Sequence, residues 1–395
     1  MKGERVYADS AASARPFPAA IRAAEEAFEV YANPSAAYGN AGRARRILES
    51  SRALIAETVG AAPDEIFFTS GGSESNNLAL YGAAAALPAG KRCIVTGRIE
   101  HASVLEPLKK LEENGFRIVF LEPDEEGLYD PEGLLSVLPP DAGLVSLMSV
   151  QNEVGAVMPV GRIGGILSEK GILFHTDAVQ AVGHLETKAE ESGISLLSAS
   201  AHKFGGIKGA GFLYLRRGTP FRPVFGGGGQ EKGLRPGTEN LPGIAAMAAA
   251  LRRAEEIRES EKTRLRDAVR SLDRAILSIP GAVKTGPKDE GKRLPGLASY
   301  YFPGIDGEAL IQALDLLGVD AAAGAACHGG RKEESHVMRA LGFAGGGALR
   351  LSLGWDIGEE DIRLLGERIP RAVGILGEKG DQGRKNIPER DLWRE

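Results

Sequence analysis

Short apolar runs alternate with longer amphipathic stretches through the first half of the chain. Seven runs have the length and composition of β-strands, and they are Ile66–Thr69, Cys93–Thr96, Ile118–Leu121, Leu144–Ser149, Ile172–Thr176, Leu196–Ala199 and Phe212–Leu215. Apolar strands that alternate with helical segments are typical of a mostly parallel sheet with helices on both faces. The pattern therefore predicts an α/β domain built on a seven-stranded sheet.

The pattern changes in the second half of the chain. From Pro242 to Leu277, Ala-rich and then charged residues with few breakers predict one long helix. Such a helix could carry the chain into a second, smaller domain of mixed α+β type. The elements predicted in that domain are two strands and two helices, at Leu297–Phe302, Ala348–Leu353, Glu308–Leu316 and Glu359–Ile375.

Composition and charge narrow the classes of function. The 48 basic and 53 acidic residues give a net charge of −5, which offers no basic surface for nucleic acid. No apolar run approaches the ~20 residues of a membrane helix, and the N-terminus lacks an apolar signal segment. We therefore expect a soluble cytoplasmic protein without nucleic-acid or membrane partners. Since Cys93 and Cys327 are the only cysteines, we expect neither a disulfide framework nor a metal site.

Lys203 and Asp177 follow two of the predicted strands and carry the first chemical signal. Ligands of open α/β sheets collect at the carboxyl ends of the strands. Pyridoxal phosphate (PLP) needs a lysine for its Schiff base and an acid that keeps its ring nitrogen protonated. Ser200 and His202 could supply hydrogen bonds to the phosphate. An isolated lysine would be better explained as part of a surface turn, but these partners favour PLP.

A second phosphate anchor is predicted at a Gly-rich turn. Gly71, Gly72 and Ser73 lie between the predicted strand Ile66–Thr69 and a helical apolar pattern. A strand, a Gly-rich turn and a helix start present free backbone N–H groups and the positive end of a helix dipole. Alone, such a turn is usually only a turn, but the Lys/Asp pair gives it weight.

Three further side chains complete a possible set of contacts to the cofactor ring. His101 follows a predicted strand and opens a helix, so its imidazole could stack on the pyridine face. Asn152 and Gln180 follow two other strands, and either could hydrogen-bond the ring's 3-hydroxyl. Each assignment is weak alone, since a histidine at a helix start is more often a cap. Their shared position after strands supports the set.

Nine motifs in order along the chain resemble those of the cysteine desulfurases of the NifS/IscS type. They are Thr69–Asn77, Glu100-His-Ala, Asn152-Glu-Val-Gly, Asp177-Ala-Val-Gln, Ser200-Ala-His-Lys, Gly226–Asn240, Ala326-Cys327, Ser335-His-Val and Leu349-Arg-Leu-Ser. Those enzymes belong to the class V aminotransferase group of fold-type I PLP enzymes. The resemblance implies that fold, with a large PLP-binding domain at residues 16–258. It also implies a smaller domain from residues 1–15 and 259–378, followed by a polar tail at 379–395.

The resemblance also implies the role of each site residue. It makes Lys203 the Schiff-base lysine and His101 the stacking residue and proton shuttle. The cofactor contacts that it implies or supports are Gly72, Ser73, His101, Asn152, Asp177, Gln180, Ser200, His202 and Lys203. Thr238 resembles a phosphate ligand donated by a second subunit, which implies a homodimer. Arg350 resembles the guanidinium that holds the substrate carboxylate, for which a bidentate fork is suited, and Asn33 a second carboxylate contact.

Cys327 resembles the nucleophile that takes sulfur from cysteine as a persulfide. It lies in a stretch of small and polar residues, whereas Cys93 lies in an apolar strand and is expected to pack in the core. Only a thiolate attacks sulfur efficiently, and His328 and Arg331 could favour that form. Adjacent loop residues often point apart, so His328 is either a helper in ionisation or a solvated side chain.

The chain departs from the family pattern at several positions. The usual Asn-Ala-Ala-Thr-Thr appears as Asp9-Ser-Ala-Ala-Ser-Ala, and Tyr38 replaces a histidine. The Ser-Gly-Ser-Ala-Cys motif becomes Ala323-Gly-Ala-Ala-Cys, and Trp355 follows Leu353-Gly. We expect none of these changes to touch the Lys/Asp/phosphate set. They bear on the natural substrate and on the sulfur acceptor.

The function implied by the resemblance is a cysteine desulfurase, which converts L-cysteine to L-alanine. Its persulfide would pass to an acceptor or scaffold protein, for iron–sulfur cluster assembly or other sulfur trafficking. One alternative is a selenocysteine lyase, or an aminotransferase of the same group that does not use Cys327. Another is a non-catalytic sulfur-relay or binding protein on a PLP fold. Cofactor absorbance together with sulfide release from cysteine distinguishes these possibilities.

Overall fold

The structure is a computed structural model that describes residues 5–323 and 335–380, with side chains to residue 377. Its strands are β1 (Val6–Tyr7), β2 (Ile66–Thr69), β3 (Cys93–Gly97), β4 (Arg117–Leu121), β5 (Ala142–Ser146), β6 (Leu173–Asp177), β7 (Leu196–Ser200), β8 (Gly211–Leu215), β9 (Val283–Thr285), β10 (Leu297–Pro303), β11 (Val319–Asp320) and β12 (Gly346–Ser352). Its α-helices are α1 (Pro18–Phe28), α2 (Gly39–Val59), α3 (Gly72–Ala84), α4 (Ala102–Glu113), α5 (Pro131–Val137), α6 (Val160–Glu169), α7 (Leu241–Ile276), α8 (Gly307–Leu316), α9 (His336–Ala340) and α10 (Glu359–Gly380). Throughout this described part, no helix has both the length and the apolar character needed to cross a membrane.

The chain forms two compact units. The large unit comprises Ser13–Asn152 and Ala156–Glu259. The small unit comprises the described residues of Met1–Ala12, Glu153–Gly155 and Ser260–Glu395. Glu153–Gly155 thus groups with the small unit, and Ser13–Arg15 groups with the large unit, whereas the sequence prediction had each segment in the other domain. The reasons are local, since Gly155 accepts a hydrogen bond from the backbone of Leu294 and Ala14 donates one to the carbonyl of His202.

The large unit is built on a seven-stranded sheet with the order β2-β8-β7-β6-β5-β3-β4. The five strands from β7 to β4 run parallel, whereas β8 pairs antiparallel with both β2 and β7. Residues such as Ile94, Val95 and Leu197 are fully buried, as expected for strands covered on both faces. The predicted α/β fold with a mostly parallel seven-stranded sheet is therefore confirmed.

One predicted strand ends earlier than the apolar run suggested. Strand β5 stops at Ser146, although the run continues to Ser149. The backbones of Leu147 and Ser149 still donate to the carbonyls of His175 and Asp177, so the chain keeps following β6. Asp177 itself is the last residue of β6. The apolar run is therefore longer than β5, because the chain stays buried beside β6 after its pairing with β3 has ended.

The small unit contains two separate sheets in its described part. Strands β1 and β11 pair in parallel, and β10 lies between β12 and β9 with antiparallel pairing on both sides. Its core includes Leu272, Tyr300, Leu349 and Leu365, each at most 1% exposed. The sequence did not reveal β9, because three residues are too few for a periodic pattern. The long helix α7 lies within one residue of its predicted limits.

Candidate active site

The Gly-rich turn and the first turn of α3 lie against the end of β7. Gly71 has a φ of +150°, which favours glycine, and a Cβ there would come 3.3 Å from the Ser200 hydroxyl. A Cβ on Gly72 would come 2.5 Å from a methyl group of Val179. The absence of side chains therefore lets the N-terminus of α3 approach the ends of two central strands. Ser73 is exposed in the same first turn.

Ser200 and His202 lie at the end of β7 and in the short 3₁₀ turn that follows it. Ser200 is buried, and the His202 ring is half-buried with Nδ1 lying 3.3 Å from the Ser13 hydroxyl. Ser13 is part of the changed N-terminal motif, so that departure does reach one predicted phosphate residue, contrary to the expectation from sequence. Burial, followed by the charges of Lys203 and Lys208, lowers the pKa of His202 to about 4. His202 is therefore a neutral imidazole near pH 7, which can donate one hydrogen bond and accept another.

Asp177 is joined to His101 by a chain of hydrogen bonds. The Asn76 amide donates to Asp177 Oδ2 at 2.7 Å and to the Ser103 hydroxyl at 2.8 Å. The Ser103 hydroxyl lies 2.8 Å from His101 Nδ1, which also accepts the Ser103 backbone N–H at 3.1 Å. Because Nδ1 accepts, the proton of the neutral His101 ring is on Nε2. The second oxygen of Asp177 accepts the backbone N–H of Val179 at 3.0 Å.

Asn76 and Ser103 are the residues of this chain that sequence reasoning missed. Asn76 is fully buried in the second turn of α3, inside the motif Thr69–Asn77, and Ser103 follows His101 by two residues. His101 is the N-cap of α4, and its ring is exposed. The motif itself was the available signal for Asn76, but only the fold shows that α3 lies over Asp177.

Lys203 is the last residue of the 3₁₀ turn after β7 and is half-buried. The carbonyl oxygen of Lys203 accepts a hydrogen bond from His184 Nε2 at 3.0 Å, so His184 holds the backbone of this lysine. Burial lowers the pKa of His184, so a neutral ring with its proton on Nε2 fits this contact. His184 carried no sequence signal, since it lies outside every motif named above.

The other predicted ring contacts lie at the same end of the sheet. Gln180 is buried three residues beyond the end of β6, and Asn152 is half-buried in the turn that follows the strand-like run through Ser149. Both make contacts in this structure. The sheet thus brings together the predicted cofactor residues of the large unit, except Thr238. Thr238 is exposed in the segment before α7.

Burial shifts the pKa values of two further ionisable groups of the large unit toward their neutral forms. His175, in β6, lies 2.8 Å from the Ser146 hydroxyl and 3.1 Å from the Ser198 hydroxyl, and burial lowers its pKa to about 3. Glu100 is fully buried and accepts the backbone N–H of Met148 at 2.8 Å. Burial, with the charge of Asp177 adding to it, raises the pKa of Glu100 well above its usual range.

In the small unit, Arg350 forms an ion pair with Asp9. Arg350 Nη2 lies 2.6 Å from Asp9 Oδ1, and the two side chains are 10% and 21% exposed. Arg350 belongs to β12, and its backbone bonds in both directions with Ala322. Asp9 follows β1, and its neighbours Ala8 and Ser10 bond to the backbone of Ser352. Sequence reasoning identified Arg350 but not its partner.

Glu153 lies in the same unit and is buried with Ser335. Glu153 Oε2 accepts the Ser335 hydroxyl at 2.6 Å, and that hydroxyl also caps the N-terminus of α9. Burial raises the pKa of Glu153 to about 7, although the Ser335 hydrogen bond and the charge of Arg350 act in the opposite direction. Both residues belong to quoted motifs, yet neither had an assigned role.

The remaining predictions have different outcomes. Asn33 is exposed, and its side-chain oxygen accepts the backbone N–H of Ser35 at 2.9 Å, which closes a local turn. Tyr38 is 59% exposed just before α2. Cys327 and His328 lie outside the described residues. Cys93 is buried in β3, in agreement with its predicted place in the core.

The chain is similar to known proteins along almost its whole length. The family model "Aminotransferase class-V" matches residues 6–365. The chain belongs to the class V aminotransferase family. The cysteine desulfurase IscS of Dictyoglomus turgidum is 40% identical to it over 385 residues, which cover 95% of this chain and 96% of that protein.

Two solved structures extend the comparison. A NifS-like protein is 34% identical, with a TM-score of 0.88, and the match covers 94% of this chain and all of that one. SspA in complex with cysteine is 31% identical with a TM-score of 0.77, and the match covers 88% of this chain and 98% of SspA. The predicted resemblance to NifS/IscS-type enzymes is thereby confirmed.

Members of this family depend on pyridoxal phosphate, and the large unit fits that cofactor. The glycines at the start of α3 leave room that side chains would fill, beside the Ser200 hydroxyl. Such a helix start suits a phosphate group. Asp177 is a buried carboxylate with both oxygens already hydrogen-bonded, which suits a protonated ring nitrogen. The residues that could hold the cofactor therefore match its two charged ends.

Proposed function

We propose that the protein is a pyridoxal phosphate-dependent cysteine desulfurase that converts L-cysteine to L-alanine. The observation that carries the proposal is the hydrogen-bonded chain from Asp177 through Asn76 and Ser103 to His101. It fixes an acid and an imidazole in one unit with Lys203, at the carboxyl end of the sheet. The similarity to proteins named cysteine desulfurase supports the choice of reaction.

Each predicted site residue of the large unit then has a chemical role. Pyridoxal phosphate, when bound, supplies an electron sink for the pair released at the substrate α-carbon. Asp177 keeps the ring nitrogen protonated, and Gly72, Ser73, Ser200 and His202 hold the phosphate. Asn152 and Gln180 hydrogen-bond the ring. Lys203 holds the cofactor and moves the α-proton, and His101 stacks on the ring and shuttles protons through Nε2.

The substrate carboxylate is assigned to Arg350 and Asn33. A guanidinium offers paired N–H donors that match a carboxylate. Asn33 Oδ1 is used within its own turn, so the amide NH₂ group is the part of this side chain that would donate. These assignments follow the family motifs, and the structure adds that Arg350 is mostly buried before any substrate binds.

Cys327 is assigned the sulfur transfer. Its thiolate attacks the substrate sulfur, so an S–S bond forms while the C–S bond breaks. The electron pair of the C–S bond stays on carbon, which takes up a proton and becomes the methyl group of alanine. The sulfur remains as a persulfide, and the step needs no external oxidant or reductant. An acceptor or scaffold protein then removes that sulfur.

The active form is proposed to be a homodimer in the cytoplasm. The exposed Thr238 would reach the phosphate of the second subunit, as the family motif implies. Sedimentation of the cofactor-loaded protein tests the dimer, and Thr238→Ala tests the shared phosphate contact.

Cys327→Ala tests the central assignment. The variant should retain cofactor absorbance and should still change its spectrum with L-cysteine, because Lys203 and the carboxylate contacts remain. Persulfide should not accumulate, and sulfide should not be released at the normal rate. Normal desulfuration by Cys327→Ala would contradict the mechanism. Transamination without sulfide by the wild type would favour the aminotransferase, faster turnover of selenocysteine the lyase, and absence of cofactor binding the non-catalytic protein.

A further inference from the structure

We propose that Arg235 is a positioning residue that holds Thr238 in place for the cofactor phosphate of the second subunit. The inference rests on the proposed homodimer and on the proposed contact between Thr238 and that phosphate. Thr238 is exposed in the segment Gly226–Asn240, which contains six glycines. Holding such a segment in one position lowers the entropic cost of any contact that it makes.

The first step is a buried ion pair that ties this segment to the edge of the large sheet. Arg52, in α2, donates hydrogen bonds to both carboxylate oxygens of Glu231, at 2.8 and 2.7 Å. The two side chains are 10% and 2% exposed. Glu231 Oε2 also accepts the backbone N–H of Phe68, in the edge strand β2, at 2.8 Å. Because both oxygens of Glu231 are bonded, this part of the segment has a fixed position.

The second step is the backbone conformation at this anchor. Glu231 and Lys232 have φ angles of +48° and +57°, and they are the only non-glycine residues with positive φ in the part of the chain that the structure describes. This conformation is unfavourable for a residue with a Cβ, and it persists where surrounding contacts impose it. Such positions cluster at functional sites. The contacts of Glu231 therefore impose an unusual backbone path shortly before Thr238.

The third step is the ion pair of Arg235, which lies three residues before Thr238. Arg235 Nε and Nη2 lie 2.8 and 3.3 Å from the two carboxylate oxygens of Glu74, and the side chains are 26% and 16% exposed. Glu74 belongs to the first turn of α3, where the proposed phosphate site also lies. Its Oε2 accepts the backbone N–H of Ser70 at 2.8 Å as well. Arg235 therefore anchors the segment to a fixed helix start.

Hydrogen bonds on either side of Thr238 complete the arrangement. The Gly237 N–H donates to Gln230 Oε1 at 3.1 Å, and the Asn240 amide donates to the carbonyl of Gly209 at 3.0 Å. Thr238 is thus an exposed residue between two anchored positions. Charge-assisted hydrogen bonds are stronger than neutral ones, so the ion pair of Arg235 is expected to contribute most to holding Thr238.

The subunit in which an effect appears separates this role from local support. If Arg235 acted only through Glu74, its loss would weaken the phosphate site of the subunit that carries the substitution. The proposal predicts that the loss appears in the site of the other subunit, because that site receives Thr238. A merely structural role would not produce this exchange between subunits.

The main experiment uses heterodimers of two differently tagged full-length chains, purified on both tags and loaded with pyridoxal phosphate. One subunit carries Lys203→Ala in every case. Borohydride reduces the Schiff base between Lys203 and the cofactor, so it traps cofactor only in the other subunit. The measured quantity is the trapped cofactor as a function of free cofactor concentration, which requires no turnover.

Arg235→Ala is placed either on the Lys203→Ala subunit or on the opposite one. In the first arrangement the trapping site receives Thr238 from the subunit without Arg235, and we expect roughly three- to tenfold weaker cofactor binding. In the second, Thr238 comes from a subunit that retains Arg235, and the affinity should stay close to that of the heterodimer without the substitution. A larger loss in the second arrangement, or equal affinities in both, would overturn the proposal.

Homodimers supply a second measurement by equilibrium dialysis of the cofactor. Thr238→Ala should weaken binding, and adding Arg235→Ala to it should cause little further loss, since the two residues act as one unit. Additive losses would overturn the proposal, and so would unchanged binding by Thr238→Ala. Arg217→Ala breaks an exposed ion pair with Asp64 and is the matched control, which should retain the cofactor. Loss of sulfide release with the predicted pattern of cofactor binding would count only against the proposed reaction.

Discussion

Burial changes the pKa values of ionisable side chains differently in the large unit and near Arg350 in the small unit. In the large unit, burial lowers the pKa of His175 to about 3 and that of His202 to about 4, and it raises the pKa of Glu100 well above its usual range. In the small unit, burial leaves the pKa of Glu153 at about 7. His175 and His202 are therefore uncharged around pH 7, whereas the charge of Glu153 changes in that range.

This difference has a structural cause. His175 lies within the sheet between two serine hydroxyls, and burial is the cause of its low pKa. Glu100 accepts the Met148 N–H, but burial and the charge of Asp177 outweigh that contact. Glu153 lies near Arg350 and accepts a hydrogen bond from Ser335, and both favour its charged form. Burial without an oppositely charged neighbour therefore shifts the pKa strongly, whereas the charge of Arg350 partly opposes the effect of burial on Glu153.

Among these tests, the largest effect is expected from Lys203→Ala, in the cofactor site of the large unit. This variant lacks the amine that is assigned to move the α-proton, so turnover should fall by at least about 10³-fold. Sulfide and alanine assays measure it, with cofactor absorbance as a check on loading. Lys170→Ala, at an exposed lysine just after α6, is the control and should retain activity. Normal turnover by Lys203→Ala would refute its assignment.

Glu153→Gln should change the pH dependence of stability, because the native pKa exceeds the unfolded one. Stability from Glu153 is then fully present below its ordinary pKa of 4.5 and is lost as the pH rises through about 7. The full difference corresponds to about 3 kcal/mol. Relative to wild type, Glu153→Gln should therefore gain stability between pH 5 and pH 8, as measured by thermal unfolding. An unchanged difference between the two pH values would mean that Glu153 titrates normally.

Arg350→Ala tests the assignment of the substrate carboxylate to the small unit. Loss of a charge-assisted contact should cost about 1.5–3 kcal/mol, which corresponds to a rise in KM of roughly 10- to 150-fold. The cofactor should remain bound, since its contacts lie in the large unit. Arg371→Ala, at an exposed arginine of α10, is the control. An unchanged KM would show that another group holds the carboxylate.

The two regions also differ in what the sequence could predict. In the large unit, apolar runs located the strands, and the polar residues after each run lie together because parallel strands end at the same edge. The Asp9–Arg350 pair joins residues 341 positions apart, and no local pattern relates them. Asn76 and Glu153 stood inside quoted motifs, but their roles depend on which element packs beside them. Strand ends were therefore predictable, and partners brought together by tertiary pairing were not.

Asn76→Ala tests whether the cofactor site depends on the hydrogen bonds that link Asp177 to His101. It should have the smallest effect of these substitutions. The substitution removes one donor to Asp177 and the donor to Ser103, but it leaves the Val179 N–H on the carboxylate. A net loss of about 1 kcal/mol is expected for such a contact, or roughly a fivefold weaker hold on the cofactor. Equilibrium dialysis of the loaded protein measures it. Asn77→Ala is the matched control, because the Asn77 amide donates to the Ser73 carbonyl within α3 and does not reach Asp177. If both variants retained the cofactor equally, burial and the Val179 contact alone would be enough to hold Asp177. The difference between the two regions would then come from burial and not from the hydrogen bonds of Asn76.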